Sequence, residues 1–445
     1  MNVAIGSSGA AVIVVSSDTH VGPLLRDMRQ YCPKRSLSAF DDYVRENDAY
    51  LAAMTLNNPE RYVEIEPGKR QRLATIRNLR TEGDHDIGAR HRDMNFDGVA
   101  ADVMFHGHIN DQPIPFTSLG DPKDPTTFKN RTPDSPELEA LGRHIYNQWL
   151  ADFCSVEPER HAGLAQIPIW DVEASVMEIE WAAEAGLRGI NFPVQQSWFP
   201  MYSKPHWEPL WASAAANKMP LVTHIGSSGD TDYSGPAGRA VNLVEMGTFF
   251  GLRALPWMLL AGVFERHPEL RVAITEVPGI WWPSYLARLD SAYRYSLDSA
   301  QGKLPALAEL CPKPPSEYCQ SNLFVGASFM SHAEAKDAWR GGYSTNYMWG
   351  SDYPHPEGTF QYPDDWDETP VTRLAQRFTF AGIPEKPTRD MLGMNALRFY
   401  GFDVEKLRAV AERINAPTIE ELGTPIVEPP EGPPNCAFRQ RGMWD

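Results

Sequence analysis

The chain runs to 445 residues, 42% of them hydrophobic and 22% charged, which is ample apolar material for a sizeable core. Its 41 Lys and Arg against 58 Asp and Glu leave a formal charge of −17, which argues against nucleic-acid or anionic-membrane partners, both rich in phosphate. Five cysteines, odd in number and with no Cys-x-x-Cys pair, argue against a disulfide framework or a thiolate metal site.

The first apolar run, Ala10–Val15, lacks a basic flank and ends at Ser-Ser-Asp, so it reads as a strand and not as a signal peptide. No apolar run reaches the ~20 residues of a membrane span, and a soluble cytoplasmic protein is expected. Eight candidate strands follow in order: Ala11–Val15, Val99–Phe105, Ala162–Ile167, Gly189–Phe192, Leu221–Thr223, Val272–Thr275, Leu323–Gly326 and Tyr347–Trp349. Helical patterns lie between most of them, at Asp171–Ala185, His206–Asn217, Val241–Arg266, Pro283–Ser296 and His332–Arg340. Eight such units predict a (β/α)8 TIM barrel over about residues 1–400; periodicity by itself leaves a doubly wound open sheet as the alternative.

Three stretches exceed a minimal barrel. Residues 21–98 read as a large helical insertion after the first strand, and residues 107–134 as a long rim loop. Residues 401–445 read as a C-terminal helix and a Pro-rich arm, packed on the barrel or on a neighbouring subunit of a homo-oligomer. The insertion carries Lys69, Arg70, Arg72, Arg77 and Arg80, either a solvated helix face or a landing site for coenzyme A phosphates.

Potential metal ligands concentrate at the strand ends, the rim where barrels build their sites. Asp18 and His20 close the first strand, spaced so that both face one side. His106 and His108 close the second with the same spacing, while His224, Glu276 and Asp352 end the fifth, sixth and eighth. Each has a bland reading as a rim hydrogen-bonder or a helix cap. One ligand shell explains all five ends together. His85 and His355 are candidates for remaining positions or for orienting a ligand.

Over most of residues 11–400 the chain resembles the amidohydrolase-related superfamily, in the branch that holds the metal-dependent decarboxylases. The resemblance rests on Ser17-Asp18-Thr19-His20-Val21, Thr223-His224-Ile225-Gly226, residues 262–270 (GVFERHPEL), and Gly350-Ser351-Asp352-Tyr353-Pro354-His355. The chain departs from the family pattern twice, with Asp18 and Glu276 where the family commonly has histidines. Three carboxylates beside His20, His106 and His224 suit iron or manganese better than an imidazole-dominated zinc site. Within the superfamily the sequence is similar to a group of TIM-barrel nonheme diiron monooxygenases, represented by that of platensimycin and platencin biosynthesis. That likeness rests on residues 18–23, 97–107, Thr275-Glu276 with Trp281-Trp282, and residues 353–359.

The diiron resemblance implies two iron ions, O2, an electron donor, and hydroxylation of a bulky apolar substrate carried as a coenzyme A thioester. The implied ligands are Asp18, His20, His106, His224, Glu276 and Asp352, with His85 and His355 in support. The alternative is a mononuclear zinc or manganese hydrolase or decarboxylase in which Asp352, His224 or His355 handles the proton. A barrel that only binds its ligand is a second alternative. Trp198, Phe199, Tyr202, Trp281 and Trp282 follow strand ends and are candidate walls of an apolar pocket, or core packing. No Gly-x-Ser-x-Gly elbow, phosphate-binding P-loop or dinucleotide fingerprint occurs.

Overall fold

The computed structural model describes residues 9–57, 62–66, 69–72, 77–107, 110–120, 133–225, 235–245, 251–277, 279–298, 305–328, 330–426 and 436–442. Among the described residues there are ten strands: β1 (Val15–Val21), β2 (Tyr62–Glu66), β3 (Lys69–Arg72), β4 (Ala101–His106), β5 (His161–Gln166), β6 (Gly189–Asn191), β7 (Leu221–His224), β8 (Val272–Thr275), β9 (Leu323–Ala327) and β10 (Tyr347–Trp349). β2 and β3 form a separate antiparallel hairpin, and the other eight pair in parallel in the order β1-β4-β5-β6-β7-β8-β9-β10. The ring is closed by a bridge between Thr19 and Tyr353. The Asp352 N–H donates to the Asp18 carbonyl at 3.0 Å and the His20 N–H to the Tyr353 carbonyl at 2.7 Å. With helices between the strands, this is the (β/α)8 barrel that the strand count predicts.

The period of two along each strand sorts side chains into two cores. Val15, Val103, Phe105, Leu164, Val222, Ala273 and Met348 share one with Leu397, Phe399 and Leu407 of the C-terminal helices. Their neighbours Met104, Leu221, Val272, Ile274, Tyr347 and Trp349 face the surrounding helices in the other. The C-terminal helices lie at the N-terminal ends of the strands: Arg271, just before β8, donates to the Arg398 carbonyl at 2.7 Å, and Arg188, just before β6, to that of Gly401 at 2.8 Å. The opposite end stays available for a site. Several helices start where their sequence provides a cap. The Asp171 side chain accepts from the Ala174 N–H, and Ser331 with Glu334 forms a capping box.

Four expectations are corrected. β1 starts at Val15 and runs through the polar Ser16–His20, because buried partners satisfy its hydroxyls: Ser16 with Ser351, Ser17 with the Met348 carbonyl, and Thr19 with the Val103 carbonyl. The single helix expected over Val241–Arg266 is divided into Gly235–Glu245, Ala254–Leu260 and Val263–Arg266, the last preceded by left-handed Gly262 at φ 71°. The 21–98 insertion holds the β2–β3 hairpin as well as helices, so Lys69, Arg70 and Arg72 lie on a strand and on no helix face. After Val404–Arg413 a second short helix, Ile419–Gly423, follows. His108, most of the rim loop (121–132) and the Pro-rich 427–435 lie outside the described residues.

Candidate metal centre

β1 delivers Asp18 and His20 to the C-terminal mouth of the barrel, β7 delivers His224, and the turns after β8 and β10 deliver Glu276 and Asp352. His20 Nε2 lies 3.1 Å from Asp352 Oδ1 and 3.4 Å from Asp18 Oδ1. His224 Nε2 lies 3.5 Å from Asp18 Oδ1 and 3.4 Å from a Glu276 oxygen. His355 Nδ1 is 3.1 Å from Asp352 Oδ1, and its ring stacks on His20 at 4.0 Å. Donor atoms gather in three overlapping groups: Asp18, His20 and His224; His20, Asp352 and His355; Glu276, Asp352 and Glu357. Gly350 makes room for this approach, since a Cβ there would lie 2.9 Å from that of Asp18.

These contacts are close enough for ion pairs, yet Asp18 Oδ1, both Asp352 oxygens and His224 Nε2 are buried without a hydrogen-bond partner. Buried polar atoms in folded proteins are nearly always satisfied. The unsatisfied atoms of Asp18 and His224 share one donor group with His20, and those of Asp352 lie in the adjoining group that His20 also joins, an arrangement that fits a cation. The remaining lone pairs are held in place. Ser328 donates to Asp18 Oδ2, and His224 Nδ1 lies against the Ile225 carbonyl. That second contact makes Nδ1 the protonated nitrogen and leaves Nε2 to face the cluster.

The electrostatics agree. Burial, then the nearby Asp352 and Asp18, push the Glu276 carboxyl well above the ordinary range. Burial followed by Asp352 also raises Glu357. For His355, burial pulls downward, but Asp352 outweighs it and raises the imidazole to about 9. Likewise burial lowers His224 while Asp18 more than compensates, for a net rise. Without a cation, Glu276 and Glu357 are pushed toward the protonated form and His224 and His355 toward the charged form, which is the response of an excess of negative charge in a confined space.

Behind the donors sits a buried buttress that the sequence reading missed. The Arg90 guanidinium donates to the His20 carbonyl at 2.9 Å, the Gly83 carbonyl at 3.0 Å, the Thr19 hydroxyl at 2.6 Å and Asp102 at 2.7 Å. Asp102 also meets His161 Nδ1 at 2.8 Å. Burial alone would raise Asp102, but Arg90 and His161 overcome it and hold the carboxyl well below its usual range. Glu357 was missed too, although its spacing from His355 repeats that of Asp18 and His20.

Not every candidate joins the cluster. The His106 ring packs edge-on against Tyr146 at 5.1 Å, and His85 Nδ1 lies 2.7 Å from Asp84; neither belongs to a donor group among the described residues. Arg77 and Arg80 form exposed ion pairs with Asp364, with Glu368 also 3.7 Å from Arg77. Phe199 and Tyr202 are core residues, interlocked with Phe192, Trp207 and Trp211, and Trp282 is buried against Tyr347. Trp198 is half-buried, edge-on to Phe199. Trp281 lines a cavity of about 860 Å³ with Leu252, Pro256, Trp257, Leu260 and Tyr285.

A comparison with curated proteins returns no match. Among solved structures, the chain is similar to 5-carboxyvanillate decarboxylase from Sphingomonas paucimobilis, at 19% identity and a TM-score of 0.57 over 88% of this chain and 100% of that one. It is also similar to 5-carboxyvanillate decarboxylase from Novosphingobium aromaticivorans, solved with manganese and 4-hydroxy-3-methoxy-5-nitrobenzoic acid, at 18% identity and 0.58 over 89% and 97%. A Mycobacterium avium subsp. paratuberculosis amidohydrolase matches at 16% and 0.58 over 88% and 100%. These likenesses establish a shared fold. A model of the family described as Amidohydrolase matches residues 115–402, more than half of the sequence, and the chain belongs to that family.

Proposed function

We propose that this chain is a metal-dependent decarboxylase or hydrolase acting on a small, largely apolar substrate, with its cation held by Asp18, His20, His224 and Asp352. The observation that carries this reading is the convergence of buried atoms without hydrogen-bond partners on Asp18, His224 and Asp352. Family membership supports it, as does a fold shared with decarboxylases, one of them solved with manganese. The carboxylate-rich donor set favours manganese over zinc. Bound there, a cation supplies a Lewis acid that orients a substrate carboxylate or carbonyl and acidifies a water. Asp352 orients the His355 Nδ1, which sets this imidazole beside the proposed cation as a group able to handle a proton. Trp281, five residues beyond Glu276, lines an apolar cavity suited to an apolar substrate, although none of the metal donors borders it.

One observation favours a second reading. Glu276, Asp352 and Glu357 form a further donor group that shares Asp352 with the His20, Asp352 and His355 group, enough for a second cation. Two irons there would suit the diiron monooxygenase resemblance, with O2, an electron donor and a bulky apolar or coenzyme A-linked substrate.

Metal analysis of protein purified without added metal, followed by carbon dioxide release from aromatic carboxylic acids and by oxygen uptake, separates the two. About one manganese or zinc per chain with carbon dioxide release or hydrolysis supports the first. About two irons with oxygen uptake supports the second. Protein that neither retains nor takes up metal refutes both and leaves a binding barrel.

A further inference from the structure

The C-terminal segment 436–442 returns to the barrel rim after the chain has already completed its last strand. It docks by backbone pairing, with the His332 and Ala333 N–H groups donating to the Arg439 and Gln440 carbonyls, both at 3.1 Å. Phe438 packs against Phe378 in a small apolar cluster with Ala375 and Ala437. This places the Arg439 side chain inside the protein at 2% exposure, where its guanidinium donates to the Glu357 carbonyl. Burying a guanidinium is costly unless acidic groups surround it. Burial leaves Arg439 lowered overall, opposed in part by Cys436 and by the acidic Asp352, Glu357 and Glu334.

Asp352 and Glu357 belong to the loop after β10, and Glu334, in the first turn of the helix after β9, ties in the turn after β8. It accepts from the Gly279 N–H, three residues beyond Glu276, and from the Ser331 N–H at 3.0 Å. The turns after β8, β9 and β10 thus meet around one arginine from the far end of the sequence. We infer that Arg439 is a positioning residue of the metal centre: by holding the Glu357 carbonyl it fixes the 352–358 loop that presents Asp352, His355 and Glu357. This rests on the metal-dependent reading above. Since its charge would by itself repel a cation, tight binding requires that the positioning effect prevail, and that makes the sign of the outcome decisive.

The test is manganese(II) titration of the full chain, reading free ion by electron paramagnetic resonance, for wild type, Arg439→Met and Arg439→Lys, alongside melting of the metal-free proteins. Arg439→Met is expected to weaken binding by about ten- to hundredfold, the effect of removing a group that orients a ligand. Arg439→Lys recovers part of that loss, and the metal-free melting temperatures stay near wild type. Arg439→Met binding manganese as tightly as wild type, or more tightly, overturns the inference. So does a metal-free melting temperature that falls together with affinity in both variants, because the role is then one of folding. Should Arg439→Met not fold, Arg439→Lys decides: weaker binding on an intact fold supports the role, and unchanged binding removes it. A wild type that takes up no manganese brings down the metal-dependent reading and this inference with it, whereas equal binding by wild type and variants removes only the inference.

Discussion

Glu276 and Asp352, at the ends of β8 and β10, share a left-handed backbone, with φ of 61° and 54°. For non-glycine residues that conformation costs on the order of 1 kcal/mol each, and such strain collects where a side chain must be aimed. Both carboxylates belong to the same donor group, with like charges held together. Stability in the metal-free protein is thereby sacrificed for a binding geometry.

Glu276→Gln should therefore stabilise the metal-free protein while weakening its hold on metal. Burial and the nearby acidic groups raise the Glu276 carboxyl in the folded protein, so its contribution to stability is full at low pH and is lost as pH rises past its ordinary range. An amide does not titrate, and a gain of about 1 kcal/mol in urea unfolding with chelator present is expected at neutral pH. A variant that is no more stable, or that keeps full metal affinity, would show that this charge crowding has no consequence.

A second titration lies away from the centre. Asp97 is buried, hydrogen-bonded by Thr372, and burial raises it from 3.8 to about 8. A carboxyl raised in the folded state favours folding below its unfolded pKa, so stability should decline from about pH 4 up to about pH 8. Asp97→Asn should flatten that decline in denaturation curves measured across the window. An unchanged slope would locate the titration elsewhere.

Removing Arg90 should be severe. Arg90→Met leaves Asp102 buried with half of its compensation gone and frees the His20 carbonyl. Breaking a buried pair from one side costs about 3–5 kcal/mol. Urea unfolding reads the loss, and a change below about 1 kcal/mol would mean that His161 alone suffices for Asp102.

Two aromatic variants separate core from pocket. Phe199→Ala, inside the cluster with Trp207 and Tyr202, should cost about 3–5 kcal/mol of stability. Trp281→Ala, on the cavity wall, should cost less and instead raise KM for the substrate found by the carbon dioxide or oxygen screen. The reverse pattern would exchange their roles.

The strand positions, and hence the barrel, were legible because alternation and β-branched runs are local properties. Seven of the candidate strands, from Val99–Phe105 onward, match β4 to β10 within about two residues. Asp18, His20, His224, Glu276 and Asp352 were legible as candidates for the same reason: parallel strands bring their C-terminal residues to one mouth of the barrel. Ser16–His20 departed from the expected strand limits because its polar groups are satisfied largely by distant residues such as Arg90, Val103, Met348 and Ser351, invisible to any local window.

What the tertiary structure decided was selection among equals. His106 and His224 both end barrel strands, yet one ring turns to Tyr146 and the other to Asp18 and Glu276, a choice made by packing. The counter-charges were beyond local reading as well, because Arg90 and Arg439 reach the centre from an insertion and from the chain terminus. Order along the sequence fixes which side chains a barrel presents. Whether each ends as donor, buttress or wall depends on contacts between residues hundreds of positions apart, which exist only once the ring has closed.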